Sequence, residues 1–474
     1  MDQRKAPLFE ELLRHEQSSR GNFHVPGHKQ GCAFDPEGKE WFTPLLRLDL
    51  TEVGQLDDLH DPTGVILEAQ KLAAEAFRAD HTLFLVGGTT AGNLAVLLSL
   101  CRPGEVAAVQ RSSHQSVFHG CFLAGVRPVC LNPCLDENGW EKPLEPSDVE
   151  ELIFRHPETK VVVITSPTYF GMVQPVREIA EVCHRHGVPL VVDEAHGAHF
   201  GFHPDLPPSA MDAGADVAIQ STHKMLTSMT MTSMLHVRGN KVDVGEIARW
   251  LRVVESSSPS YPLMASLDLA RRYAVLHGRE RIGHLLSLLR HFRGNIDTLK
   301  QVREVLPPGV CDPFKLTVWA RGRATGHQMK DWLEERGIYT ELADHQRVLF
   351  AFSPGTEEED LSCLAEALRE LDQAVLQMEG APIFTLLPPE PGQPECSYDE
   401  IRKRPRERVP LAMAAGRIAV EALVPYPPGI PLVLPGERLS EPMVRYLEHV
   451  LSLGGRVRGV SVSHAREITV SKGL

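Results

Sequence analysis

Short apolar runs, each followed by a turn and then a helical stretch, recur through the first half of this chain, and that alternation limits the possible folds more than any other feature. Residues 81–100, HTLFLVGGTTAGNLAVLLSL, read as a strand, a Gly-Thr turn and a helix starting near Ala91. Val161 to Thr165 is a second buried-strand run. The stretch PVREIAEVCHRHG then opens a helix at Pro175 and closes it at Gly187, with Val176, Ile179, Ala180 and Cys183 on one face. VPLVVD ends a third strand at Asp193, and ADVAIQ gives a fourth ending at Ser221. Strands that are apolar throughout and alternate with helices predict an α/β fold, a mostly parallel sheet covered on both faces. Ligands of such sheets bind beyond the carboxyl ends of the strands, here near Gly88, Thr165, Asp193 and Ser221.

Beyond residue 285 the pattern changes to helices such as LLSLLRHFRGNIDTL and MKDWLEERG, interleaved with the strands KLTVWA and RVLFAF. The expected organisation is an N-terminal arm with active-site loops (1–60), a large domain (61–285), a small α+β domain (286–378), and a linker with a C-terminal segment (379–474). The linker is the Pro-, Gly- and Glu-rich stretch Glu379–Pro394.

Composition narrows the function. The chain has 474 residues, 42% hydrophobic and 23% charged, which is ordinary for a folded domain and argues against disorder. With 49 Lys and Arg against 62 Asp and Glu, the net charge of −13 leaves no electrostatic footprint for a nucleic acid. The nine cysteines include no CxxC pair, so neither a disulfide framework nor a zinc ribbon is expected. The charged N-terminus MDQRKAPLFEELLRHEQSSRG shows no secretory signal and no apolar run is long enough to span a membrane, which together point to a cytoplasmic protein with reduced thiols.

Three elements carry chemistry. In IQSTHKML, Lys224 follows a strand end, with Ser221, Thr222 and His223 before it and Met225 and Leu226 after it. A lysine desolvated there and lying beside His223 would have the lowered pKa that Schiff-base chemistry needs. Asp193, 31 residues upstream, ends an apolar strand, where a buried carboxylate requires a cationic partner. The ring nitrogen of pyridoxal phosphate is such a partner; the alternative is a helix-capping aspartate. The turn GGTTAGN at 87–93 would hold a phosphate through Gly88, Thr89 and Thr90 at a helix N-terminus. It matches neither G-x-G-x-x-G nor the P-loop pattern, so nicotinamide and ATP readings have no support. His196, His199 and His203 could suggest a metal, but Gly197 and Gly201 spoil a rigid i, i+4 presentation and no metal is expected. His114 in RSSHQSV could stack on a flat cofactor or be an ordinary polar residue.

These residues, with FHVPGHKQG (23–31), DLTEVGQLDDLHDPTG (49–64), SPTYFG (166–171), VVDEAHGAHFG (191–201), SSSPSYPLMASLDLAR and VPYPPGIPLVLPGE (424–437), make the chain similar to the Orn/Lys/Arg decarboxylases. These are fold-type-I pyridoxal-phosphate enzymes, with a large mostly parallel-sheet domain and a smaller α+β C-terminal domain. The resemblance implies that Lys224 binds the cofactor as a Schiff base, that Asp193 pairs with the ring nitrogen and that His114 stacks on the ring. It implies that Thr89, Thr90, Ser221 and His223 anchor the phosphate, and that Ser257 or Ser258 reaches the neighbouring subunit's phosphate, so that a monomer is inactive. His196 stands beside the cofactor where inducible members usually carry Trp. Glu341 would meet the distal cation of the substrate, with Ser256 nearby; Asp57 and Asp58 could attract a diamino acid or be loop surface. PGHK is reached by residue 26, which implies a short form without the response-regulator-like domain of the long members. A homodimer or dimer of dimers, and polyamine biosynthesis rather than acid resistance, follow as expectations.

The implied reaction is decarboxylation of arginine, lysine or ornithine to agmatine, cadaverine or putrescine, with Lys224 or a nearby histidine such as His223 returning the proton. Two other readings stand beside it. One is an aminotransferase or lyase on the same fold, for which Arg252, Arg271 and Arg272 are candidate carboxylate clamps. The other is a non-catalytic regulatory homologue.

Overall fold

The computed structural model describes residues 1–320, 322–378, 388–426, 429–461 and 466–472. The beginning of the expected linker (379–387) and Pro427 and Pro428 of the C-terminal motif lie outside the described residues. The chain forms two compact units, one made of Met1–Leu100 and Val176–Gly283, the other of Cys101–Pro175 and His284–Leu474.

The first unit contains the strands His81–Leu85, Ser233–Val237, Val217–Gln220 and Leu190–Asp193, hydrogen-bonded in that order. The last two run parallel, with Asp193 opposite Ile219, while Ser233–Val237 is antiparallel to both of its neighbours. Every residue of the last three strands is buried, as a sheet covered on both faces requires. Burying Val191 and Val192 contributes roughly 1.5–3 kcal/mol each, and this anchors the strand that carries Asp193 at its end. The helix after the first strand spans Gly88–Leu100 and begins three residues earlier than the expected Ala91. Gly88 has φ +74°, so the chain turns there and Thr89 and Thr90 enter the first helical turn. The helix Val176–Arg185 buries Val176, Ile179, Ala180 and Cys183 as their spacing predicts, and Gly187 at φ +70° follows its end.

In the second unit, Thr159–Thr165, Val106–Gln110 and Arg127–Leu131 form parallel pairs around the central Val106–Gln110. A separate antiparallel sheet orders Leu342–Ala343, Arg347–Ala351, Lys315–Trp319 and Arg303–Glu304, the middle two being the strands expected at RVLFAF and KLTVWA. The C-terminal part packs the helix Glu441–Ser452 on a core that includes Leu411, Leu423, Val433, Leu447 and Ile468. Among the described residues no helix is long and apolar enough to cross a membrane, and all nine cysteines are unpaired.

Candidate active site

Asp193 ends its strand with 2% of its surface exposed. One carboxylate oxygen accepts from the side-chain amide of Asn93 at 3.0 Å and the other from the Ala195 N–H at 3.1 Å. Both donors are neutral, and a buried carboxylate held in this way suits a cationic ring nitrogen. No helix starts directly after Asp193 among the described residues, so the helix-capping alternative does not hold, and the Ala195 contact closes a turn just after the strand. Asn93 is a residue that sequence reasoning missed, although its spacing carried the signal: it lies four residues after Thr89, on the same face of the helix.

The residues beside Asp193 form a buried hydrogen-bond chain. Glu194 accepts from the Ala210 N–H and from Gln220 Nε2, both at 2.8 Å. Gln220 Oε1 lies 3.1 Å from His236 Nε2, and His236 Nδ1 lies 2.8 Å from the Thr82 hydroxyl. Burial pushes the Glu194 carboxyl up to about 8 and the His236 imidazole down to about 3. His236 is therefore neutral and donates through Nε2 to Gln220, which fixes the strand ends beneath the site.

Lys224 sits on a single helical turn, Thr222–Met225, directly after the strand Val217–Gln220. Its amine lies 3.2 Å from His196 Nε2, and His196 is 5% exposed. Contrary to expectation, Lys224 is exposed in the single chain. The turn directs Thr222 and Met225 into the core, at 1% and 0% exposure, and so directs Lys224 away from it. His223 is half-buried, and its Nδ1 donates to the Thr232 carbonyl at 2.8 Å. Desolvation lowers the His223 pKa and Lys224 adds to this, while the Thr232 carbonyl opposes it.

Thr89 Oγ1 lies 2.7 Å from the Ser221 hydroxyl and 3.0 Å from that of Ser233. Three hydroxyls at the start of a helix, after a left-handed glycine, suit the oxygens of a phosphate. Thr90 is exposed on the same turn. Ser233 and Glu255 are further residues the sequence did not single out. Glu255 accepts from the Val86 and Gly87 N–H groups at 3.0 and 2.7 Å. The donor set of this unit, an acid for a ring nitrogen, hydroxyls for a phosphate and an amine beside an imidazole, fits pyridoxal phosphate.

Ser256, Ser257 and Ser258 are exposed next to Glu255. Asp57 is more than loop surface: its carboxylate accepts from the N–H groups of Thr63, Gly64 and Ile66 at 2.9, 2.8 and 3.0 Å and so caps the helix Val65–Ala76. Arg271, a candidate carboxylate clamp, is fully buried, paired with Asp268 at 2.5 Å and bonded to the Gln3 and Lys5 carbonyls at 2.7 Å. Its hydrogen bonds hold the N-terminal arm. His199 is also fully buried, and among the described residues no group of His, Cys, Asp and Glu is placed to hold a metal ion.

In the second unit, His114 caps the helix Gln115–Ala124, its Nδ1 accepting from the Ser116 N–H at 3.3 Å and lying 2.8 Å from the Ser116 hydroxyl. The residue is exposed. Glu341 is exposed and accepts from the Tyr169 hydroxyl at 2.7 Å, a contact joining SPTYFG to the expected substrate residue.

Comparison with known proteins completes the picture. Residues 6–310 match the model for the Orn/Lys/Arg decarboxylase major domain, and 381–462 that for the C-terminal domain of the same family. The Bacillus subtilis (strain 168) protein YaaO is 38% identical, with 96% of each chain covered. The arginine decarboxylase of the same organism is 36% identical, with 100% of this chain and 99% of the relative covered. The solved structure of lysine decarboxylase A from Pseudomonas aeruginosa superposes with a TM-score of 0.84 at 25% identity, covering 98% of this chain and 80% of that one. The chain belongs to the Orn/Lys/Arg decarboxylase family, and is a pyridoxal-phosphate-dependent decarboxylase of basic amino acids with that family's α/β fold.

Proposed function

We propose that the protein decarboxylates L-arginine to agmatine and so supplies a precursor for polyamines. The arginine decarboxylase relative, alike over the whole length at 36% identity, supports arginine over lysine. The single observation that carries the chemistry is the buried Asp193 carboxylate, bonded to the neutral donors Asn93 and Ala195 at a strand end in the unit where Lys224 meets His196.

Lys224 would hold the cofactor covalently, Asp193 its ring nitrogen, and Gly88, Thr89, Thr90, Ser221 and His223 its phosphate, with His114 and His196 beside the ring. Bound there, pyridoxal phosphate supplies an electron sink for the pair left when the carboxylate departs. Asp193 keeps the proton on the ring nitrogen, and Asn93 keeps the Asp193 carboxylate aligned for it. Lys224 Nζ, with His196 Nε2 within hydrogen-bond reach, returns a proton to the substrate's Cα. Glu341, oriented by the Tyr169 hydroxyl, meets the substrate's guanidinium, and two carboxylate oxygens suit its planar fork.

In this reading residues 61–285 are the cofactor-binding domain, with 1–60 as arm, 286–378 as small domain and 379–474 as linker and C-terminal segment. The protein acts in the cytoplasm as a homodimer, or dimer of dimers, in which Ser257 or Ser258 serves the partner's site. Exposure of Lys224 and of Ser256–Ser258 in the single chain supports a site that a second subunit completes. An aminotransferase reading is weakened by Arg271, whose hydrogen bonds are spent on Asp268 and the N-terminal arm.

The test is mass-spectrometric product identification with L-arginine, L-lysine and L-ornithine offered separately to the holoenzyme. Agmatine with matching carbon dioxide is expected. Cadaverine or putrescine as main product would move the substrate assignment, and a keto acid without carbon dioxide would overturn the decarboxylase.

A further inference from the structure

Glu255 stands at the C-terminal end of the helix Val244–Val254 and reaches a loop 168 residues away in sequence. One of its carboxylate oxygens accepts from two successive amides, Val86 at 3.0 Å and Gly87 at 2.7 Å, directly before the Gly88–Thr90 turn. Gly87 admits that approach, because a Cβ there would lie 3.1 Å from the same oxygen. On its other side Glu255 continues into Ser256–Ser258, and that segment is pinned as well. His60 Nε2 lies 2.8 Å from the Ser256 carbonyl, and the Tyr261 hydroxyl donates to the carbonyl of Asp57, the residue that caps the helix Val65–Ala76. The backbone is thus tied at both ends while the three serines are exposed, the Ser256 hydroxyl accepting from the Ser258 N–H at 3.1 Å, a strap fixed at its roots.

We propose that Glu255 is a positioning residue that holds the Val86–Gly87 loop for the cofactor's phosphate and couples that loop to the serine strap facing a second subunit. The inference rests on the reading of Gly88–Thr90 as the phosphate cradle. Occupying the Val86 and Gly87 amides with an internal anion fixes the loop before the cofactor arrives and leaves the phosphate to the turn that follows. Burial raises the Glu255 pKa, while the Gly87 and Val86 amides and then His60 favour the ionised form. Because one side chain bears on both the loop and the strap, cofactor binding and self-association share a coupling free energy, equal in both directions.

The experiment compares wild type with Glu255→Ala, Glu255→Gln, Gly87→Ala and Thr89→Ala. Protein freed of cofactor is titrated with pyridoxal phosphate by absorbance and fluorescence, and self-association is measured by sedimentation velocity with and without the cofactor. Glu255→Ala is expected to weaken cofactor binding by about tenfold and to abolish the cofactor's effect on self-association. Glu255→Gln, which keeps an acceptor oxygen, is expected to stay within about threefold of wild type. Gly87→Ala displaces the carboxylate without removing it and is expected to fall between them, so it decides the matter should Glu255→Ala fail to fold.

Wild-type cofactor affinity in Glu255→Ala, or in Gly87→Ala where that variant decides, overturns the proposal, as does a weakened site whose cofactor still tightens self-association by the wild-type factor. Thr89→Ala separates the two levels. If it weakens binding while the Glu255 variants do not, the inference alone falls; if neither does, the phosphate-cradle reading falls with it.

Discussion

The two chemical ends of the expected site are built in opposite ways. At the cofactor end, Asp193 is 2% exposed, held by Asn93 and Ala195, and flanked by the buried chain Glu194–Gln220–His236–Thr82. At the proposed substrate end, Glu341 is an exposed carboxylate that accepts from the Tyr169 hydroxyl. In the proposed reading Asp193 cannot move without breaking buried hydrogen bonds, whereas Glu341, the proposed substrate contact, is one that a small repacking can re-aim. Catalysis gains from preorganisation because its stabilisation must be in place when charge develops. Substrate choice by a surface carboxylate gains less per contact and is correspondingly easy to change.

Breaking the cofactor end should have the largest effect. Lys224→Ala is expected to lose the visible absorbance band of the bound cofactor and to lower turnover by at least about a thousandfold; retention of either the band or the rate would remove Lys224 from the chemistry. Asp193→Asn should bind cofactor but lower kcat by about a hundredfold, or about 2.7 kcal/mol of transition-state stabilisation. A kcat within threefold of wild type would show that the buried charge is not needed.

The substrate end should respond more weakly and in a different parameter. Glu341→Gln is expected to raise KM for arginine by about tenfold with little change in kcat. A matching fall in kcat with unchanged KM would place Glu341 among the reacting groups and erase the contrast. Tyr169→Phe, which removes only the orienting hydroxyl, should raise KM by about two- to threefold; an effect as large as that of Glu341→Gln would make the pair a single rigid unit.

The smallest effect concerns stability and tests the rigidity of the cofactor end directly. The folded pKa of His236, near 3, lies below the ordinary value of 6.5. A depressed folded pKa contributes stability that is fully present above the unfolded value and is lost as pH falls from there toward the folded one. The urea midpoint of wild type should therefore drop between about pH 7.5 and about pH 5, and His236→Gln should show a shallower drop. Equal slopes would mean that the imidazole is not held neutral in the core.

Much of this architecture was legible from local pattern. Apolar runs placed the strand ending at Asp193 and, to within one residue, the strand ending at Gln220, the i, i+3, i+4, i+7 spacing placed the buried face of Val176–Arg185, and Gly187 marked its end. The Gly-Thr turn was legible as a helix start, because glycine and hydroxyl residues at such a position carry their reason locally. Not legible were the outward direction of Lys224, the reach by which Asp57 captures the amides of Thr63, Gly64 and Ile66, and the internal commitment of Arg271. Each depends on which distant segment arrives beside the residue.

The sequence by itself determined the strand and helix periods, the burial of the Asp193 strand and the identity of the residues able to serve a cofactor, since hydrophobic period and residue chemistry are properties of neighbours along the chain. Only the tertiary structure decided that Asn93 aligns Asp193, that His196 meets Lys224, that Ser233 joins Thr89 and Ser221, and that Glu255 holds the loop at Val86 and Gly87. Those pairings close loops of many residues, and a hydrogen bond across such a distance forms only after the packing of whole strands and helices has met the entropic cost of bringing its ends together.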